Sequence, residues 1–219
     1  MSRAAKVIGL VVAASALVLL AAAGALAWVL SGGWDGVRPA ADPSGREVTY
    51  ARAQIHQVLP VEQARIDEAL TGAGLSPLAA GEADGCRHGR NDWKNHEGFT
   101  LLCQAATIEV FSLPATDPAT LQRIETALGS AGYHPAGQSL RLYADQQHGG
   151  ARYQPGSDAS RSLQLIIAPP QEPDPQLAIY LPSTQAWGTQ QVDAVDTAVR
   201  NSETSTLTVI LTWTYFQDS

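Results

Sequence analysis

Between Lys6 and Asp35 the chain carries no charged residue, and in its whole length it has two cysteines, two lysines and one methionine. Each scarcity narrows the possibilities. No cysteine lies near the N-terminal apolar stretch, so a lipid-modified cysteine is not available there as an anchor. The G-x-S-x-G, P-loop, H-E-x-x-H, EF-hand and G-x-G-x-x-G signatures are all missing, which leaves no sequence-level case for a catalytic residue, a metal or a cofactor. Beyond residue 30, twelve basic residues face all twenty-one acidic ones, a net charge of −9. An acidic surface does not attract phosphate backbones, so no nucleic acid is expected among the partners.

The uncharged stretch is itself the most informative feature. Residues 7–30 form an unbroken run of 24 apolar or small residues. As a helix this run is about 36 Å long, enough to cross a hydrocarbon core of about 30 Å. Arg3 and Lys6 precede it, and basic residues stay preferentially on the cytoplasmic side. The expectation is a cytoplasmic segment at residues 1–6, a transmembrane signal anchor in membrane lipid at 7–30, and an extracytoplasmic remainder at the cell membrane. Trp28 and Trp34 bracket the outer end, where amphipathic rings favour the interface. The alternative is secretion after cleavage near Ala27, at the small-x-small site Ala25-Leu26-Ala27. The run, however, exceeds the usual signal-peptide core of about 7–15 residues. Residues 31–46, with Gly, Pro, Ser and Asp and little periodicity, read as a short flexible linker.

Downstream, the segment 65–77 aligns without a gap with 123–135, seven of thirteen positions being identical. Val195-Asp196-Thr197-Ala198-Val199 is a fainter third copy. In the second copy Asp117 is a good N-cap, Pro118 suits the first helical turn, and Leu121, Ile124, Leu128 and Ala131 share a face. Ile66, Ala69, Leu70 and Ala73 form the matching stripe in the first, and Gly74 and Gly132 are candidate C-caps. A third helix is expected at about 189–200. The last strand is the clearest element: Leu207, Val209, Leu211, Trp213 and Tyr215 alternate with a mostly threonine face. Further strands are expected at 48–58, 83–93, 99–111, 140–145, 163–168 and 177–180. Val48, Ala51, Ile55 and Val58 also satisfy helical spacing.

These signals predict an α+β ectodomain of repeated β-α-β units, an antiparallel sheet with helices on one face, in the ferredoxin-like order. Residues 47–147 would form one unit. Residues 160–219 would form a second, smaller α+β unit or an extension of the same sheet, and 145–160 is the candidate boundary.

Cys86 and Cys103 are expected to form a disulfide, the default for a lone pair in an oxidising compartment. If 83–93 and 99–111 make a hairpin turning near Asn95, opposed residues have numbers summing to about 189, and these two do. Cys86, His88, His96 and Cys103 could instead supply four metal ligands, but C-x-H-x7-H-x6-C lacks the tight ligand pairs of structural zinc sites. No metal is expected. Between the cysteines, Arg87, His88, Arg90, Asp92, Trp93, Lys94 and His96 form a polar, mixed-charge tip with one tryptophan. It is the candidate partner-contact loop, because exposed Trp and Arg are enriched at binding hot spots. His56, His134 and His148 read as isolated surface or half-buried histidines.

The functional expectation is a non-enzymatic, membrane-anchored protein with a protein-interaction or envelope-assembly role at the outer membrane face. A small-ligand-binding or sensor domain, with a pocket between sheet and helices, is the alternative. A hydrolase with an unfamiliar site would need His, Asp and Ser brought into one cleft.

Overall fold

The computed structural model describes residues 42–90, 97–156, 158–172 and 192–218. The expected anchor at 7–30 and strand at 177–180 lie outside these residues, and no helix among the described ones is long and apolar enough to cross a membrane. In chain order the elements are helix α1 (Arg46–Gly72), strands β1 (Ser76–His88) and β2 (Leu101–Leu113), helix α2 (Pro118–Ser130), strand β3 (Tyr133–Pro135), a 3-10 turn (Leu140–Tyr143), strands β4 (Gly149–Pro155) and β5 (Arg161–Ala168), helix α3 (Asp193–Asn201) and strand β6 (Ser205–Asp218).

Helix α1 absorbs what the sequence suggested as a strand at 48–58. Its buried stripe is Val48, Ile55, Leu59, Ile66 and Leu70, a spacing of sevens and fours that holds one face across Pro60. A proline inside a helix removes one hydrogen bond and costs about 3 kcal/mol. The continuous stripe, buried against the sheet on both sides of Pro60, offsets that cost and keeps one helix. Val58, counted with the alternative helical spacing, is on the outside.

Helix α2 forms as its sequence implies. Asp117 caps it, its Oδ1 accepting from the backbone N–H groups of Ala119 (2.9 Å) and Thr120 (3.1 Å). Leu121, Ile124 and Leu128 are completely buried. Both helices end on a glycine in the left-handed region, Gly74 at φ 93° and Gly132 at φ 85°, a conformation glycine adopts without steric cost. The duplicated segment is therefore a helix end, a glycine turn and the start of a strand. Its two copies lead into β1 and β3, the two outer strands of the sheet.

All six strands belong to one sheet in the order β1-β2-β6-β5-β4-β3, with every neighbouring pair antiparallel. The fold is α+β. The ferredoxin-like arrangement is not confirmed: its expected strands at 48–58 and 140–145 are an α-helix and a 3-10 turn. In the latter, Ser139 caps Leu140–Tyr143 through a bond from Arg141 N–H. The expected boundary segment 145–160 contains β4, paired to β5 inside the same sheet.

The helices do not share one face. On one side α1 and α2 cover Ala105, Phe111, Leu113, Leu163, Leu165, Ile167, Leu207, Val209 and Leu211, with Trp213 and Tyr215 at the margin. On the other, Val195 and Val199 of α3 pack on Ala83, Ala106, Ile108, Val110, Ile166 and Ile210. The reason is visible in the central strands, where Ala106, Ile108 and Val110 of β2, Ile166 of β5 and Ile210 of β6 are apolar on the face opposite Leu163, Leu165, Leu207, Val209 and Leu211. A strand apolar on both faces must be covered on both. The threonine face of β6 is correspondingly drier than its composition implied, with Thr206 fully buried and Thr208 nearly so.

Candidate functional site

Strands β1 and β2 form the expected hairpin in the expected register: Ala83 faces Ala106, Cys86 faces Cys103 and His88 faces Leu101. Cys86 and Cys103 form a disulfide, with their α-carbons 4.0 Å apart, so their sulfurs bind each other rather than standing free as metal ligands. No group of three potential metal-binding side chains occurs among the described residues. Val48, at the start of α1, packs on the two cysteines and Leu101.

Beyond the disulfide the base of the hairpin tip is tied together by charge. Arg87 Nη1 lies 3.1 and 3.0 Å from the two carboxylate oxygens of Glu97, and the Arg90 backbone N–H donates to Glu97 at 2.7 Å. The bond from the Arg90 backbone and the charges of Arg87 and Arg90 hold the Glu97 carboxyl below its ordinary pKa. The Arg87 guanidinium also stacks 4.6 Å from the centre of the Phe99 ring. Arg87 is thus committed to the hairpin itself. His88 is exposed, its Nδ1 3.3 Å from the Thr100 carbonyl, and Arg90 is exposed. Asp92, Trp93, Lys94 and His96 fall outside the described residues.

A second cluster, absent from the sequence reading, lies directly beside the disulfide. Asp84 on β1 is two residues from Cys86 and on the same face, with its side chain 8% exposed. Three groups converge on it. The Tyr215 hydroxyl of β6 donates to Oδ1 at 2.8 Å, Arg52 Nε approaches Oδ2 at 3.1 Å, and His56 Nε2 lies 3.0 Å from the same Oδ2. Arg52 also donates to the Tyr215 hydroxyl at 3.0 Å and reaches Cys86 Sγ with Nη2 at 3.4 Å. Burial works against the Arg52 charge, but Tyr215 and Asp84 outweigh it and hold the guanidinium above its ordinary pKa. Burial, reinforced by Asp84, pushes the Tyr215 hydroxyl up, so it remains a donor at neutral pH.

His56 is therefore not isolated. Arg52 and His56 stand four residues apart on α1, the spacing that places two side chains on one face. That was the available signal, but their acceptor is supplied by a strand that sequence cannot place beside them. A histidine on a buried carboxylate can in principle act as a base. Here no Ser or Thr hydroxyl joins His56 or Asp84 among the described contacts, and the nearest sulfur is oxidised. What the cluster visibly does is lock α1 over the disulfide. The remaining histidines are apart from it: His134 is exposed on β3, and His148 lies 3.7 Å from Glu172.

The same device recurs twice. The Tyr133 hydroxyl donates to Glu62 at 2.8 Å, joining β3 to α1, and the Tyr153 hydroxyl donates to Glu125 at 2.9 Å, joining β4 to α2. Glu125 also accepts from Ser139 at 2.5 Å and pairs with Arg141 at 2.6 Å. Burial opposes its charge, yet these partners hold its pKa below the usual value. Gln63 donates to the buried Glu109 on β2.

Between α1 and α2 the surface is grooved. One groove of about 460 Å³ is lined by Gly72, Ala73, Gln122, Arg123, Thr126 and Ala127. Another of about 320 Å³ lies along Arg65, Glu68, Ala69, Ala127, Ser130 and Ala131. The space between these helices and the sheet is filled by packed side chains instead.

No family model, curated protein or solved structure matches this chain. Any functional reading must come from the residues themselves.

Proposed function

We propose that this is a single-pass, membrane-anchored protein whose α+β domain faces the extracytoplasmic side and binds a protein partner there through the tip of its stapled hairpin. The Cys86–Cys103 disulfide carries the reading. It is the bond an oxidising compartment favours, and it braces the base of a tip rich in charge and bearing Trp93. The Arg87–Glu97 and Arg90–Glu97 contacts support it further, because a preorganised base lowers the ordering cost of binding. The uncharged run at 7–30 supports the anchor, with cleavage near Ala27 as the route by which the same domain would instead be secreted.

Chemical crosslinking in native membranes followed by pull-down of the full chain tests this. Recovery of one reproducible partner is expected, together with its loss on combined Arg90→Ala and Trp93→Ala substitution. Undiminished recovery by that variant would refute the role of the tip.

A small-ligand reading draws on the α1–α2 groove, whose volume of about 460 Å³ falls within the range of ligand sites. A ligand at 100 times its dissociation constant adds about 2.7 kcal/mol to stability, so a thermal-shift screen would expose one.

A further inference from the structure

The outward face of α1 differs from the rest of an acidic domain. Opposite the buried stripe, every exposed position between Glu47 and Arg65 is uncharged or histidine. Tyr50, Val58 and Val61 are 67%, 46% and 70% exposed. They are three of the five large hydrophobic side chains exposed among the described residues. Ala53, Gln57 and Ala64 lie among them, also exposed. Gln54 donates to the Tyr50 hydroxyl at 2.8 Å. From Tyr50 to Val61 the strip runs about 16 Å along the helix.

We propose that this face of α1, centred on Tyr50, Val58 and Val61, rests on the outer surface of the lipid bilayer. The proposal rests on residues 7–30 being the membrane anchor. Fifteen residues separate the end of that run from Arg46. Even fully extended, fifteen residues reach no more than about 50 Å, which confines the start of α1 to the neighbourhood of the membrane. Confinement of this kind gives an effective concentration in the millimolar range, so a weak surface affinity is enough to keep the face in contact.

The chemistry of the strip fits a lipid interface. Tyrosine favours that region, with its ring among apolar groups and its hydroxyl among headgroups. Elsewhere the domain presents carboxylates that anionic headgroups repel, whereas on this face the exposed carboxylates, Glu47 and Glu68, stand beyond the two ends of the strip from Tyr50 to Val61. A second copy of the chain is a poorer occupant. A stable dimer buries roughly 1,200 Å² or more in total, and one strip about 16 Å long and about 10 Å wide does not supply it.

The test uses the full chain, with valine and isoleucine methyls isotopically labelled, in lipid nanodiscs of mixed neutral and anionic phospholipid doped with a paramagnetic headgroup. Selective loss of the Val58 and Val61 methyl signals is expected, while those of Val195 and Val199 on α3 persist. Replacing both valines by Val58→Glu and Val61→Glu is expected to abolish the paramagnetic broadening of the nearby Ile55 and Ile66 methyls. Leu142→Glu, an exposed change on the 3-10 turn, is expected to leave the pattern intact. Val58 and Val61 signals that persist as well as those of Val195, in a chain that stays with the nanodisc, overturn the proposal while leaving the anchor standing. Crosslinks between the α1 faces of two copies overturn it in favour of a dimer. A chain that does not remain with the nanodisc refutes the anchor and the proposal with it.

Discussion

Asp67 on α1 is a carboxylate whose Oδ1 is shielded from solvent and accepts no hydrogen bond. Burial raises its pKa from 3.8 to about 6. Below the lower value it is protonated in both folded and unfolded chains, and folding bears no cost. Between the two values the unfolded chain gives up its proton while the folded chain keeps it. Stability then falls as pH rises, and above about pH 6 the whole penalty is present. Fully felt, a difference of this size corresponds to about 3 kcal/mol. Asp67 is only partly withdrawn from water, and solvent screening reduces the figure to about 1 kcal/mol. Asp67→Asn keeps the shape and removes the ionisation. Urea unfolding followed by circular dichroism is therefore expected to show the variant more stable than the parent by about 1 kcal/mol near pH 7.5 and indistinguishable from it near pH 4. An equal gain at both pH values would mean that charge is not the cause. A loss near pH 7.5 would mean that the carboxylate has a partner, and the reasoning would fail.

Three further outcomes follow from other contacts. Tyr215→Phe removes the donor to Oδ1 of the buried Asp84 and one of the acceptors of Arg52, and is expected to cost about 1–3 kcal/mol in urea unfolding. Replacing both cysteines by serine removes a bridge across a separation of 17 residues and is expected to cost about 3 kcal/mol, read as a lower urea midpoint. Gly132→Ala meets no neighbouring atom within 4 Å, so its expected cost of about 1–2 kcal/mol comes from the positive φ alone, and calorimetry should show it as a lowered Tm.

Local rules carried most of the elements that could be read in advance. The cap at Asp117, the stripe of α2, the alternation in β6 and the Cys86–Cys103 register each depend on short-range chemistry, and the structure agrees with each. The failures have a common origin in tertiary context. Residues 48–58 fit two periodicities, and burial of Leu59, Ile66 and Leu70 beyond Pro60 decided for the helix. Helix α3 went to the opposite face because Ala106, Ile108, Val110, Ile166 and Ile210 make a second apolar face that only the assembled strands bring together. The Asp84 cluster joins α1, β1 and β6, with Asp84 and Tyr215 separated by 131 positions in the chain, and no pattern in one segment announces it.

The position of β6 has a consequence for how the polypeptide reaches this state. The β1–β2 hairpin and the β3–β4–β5 meander do not pair with each other; β6 lies between them and bonds to both. It is also the last of the described strands in chain order. A nascent chain emerging from its amino end holds two half-built sheets with nothing to zip them together until β6 arrives. Such late, long-range closure makes assembly slow and leaves oily surfaces open in the interim. Trimming the closing strand would disconnect the halves rather than merely fray an end.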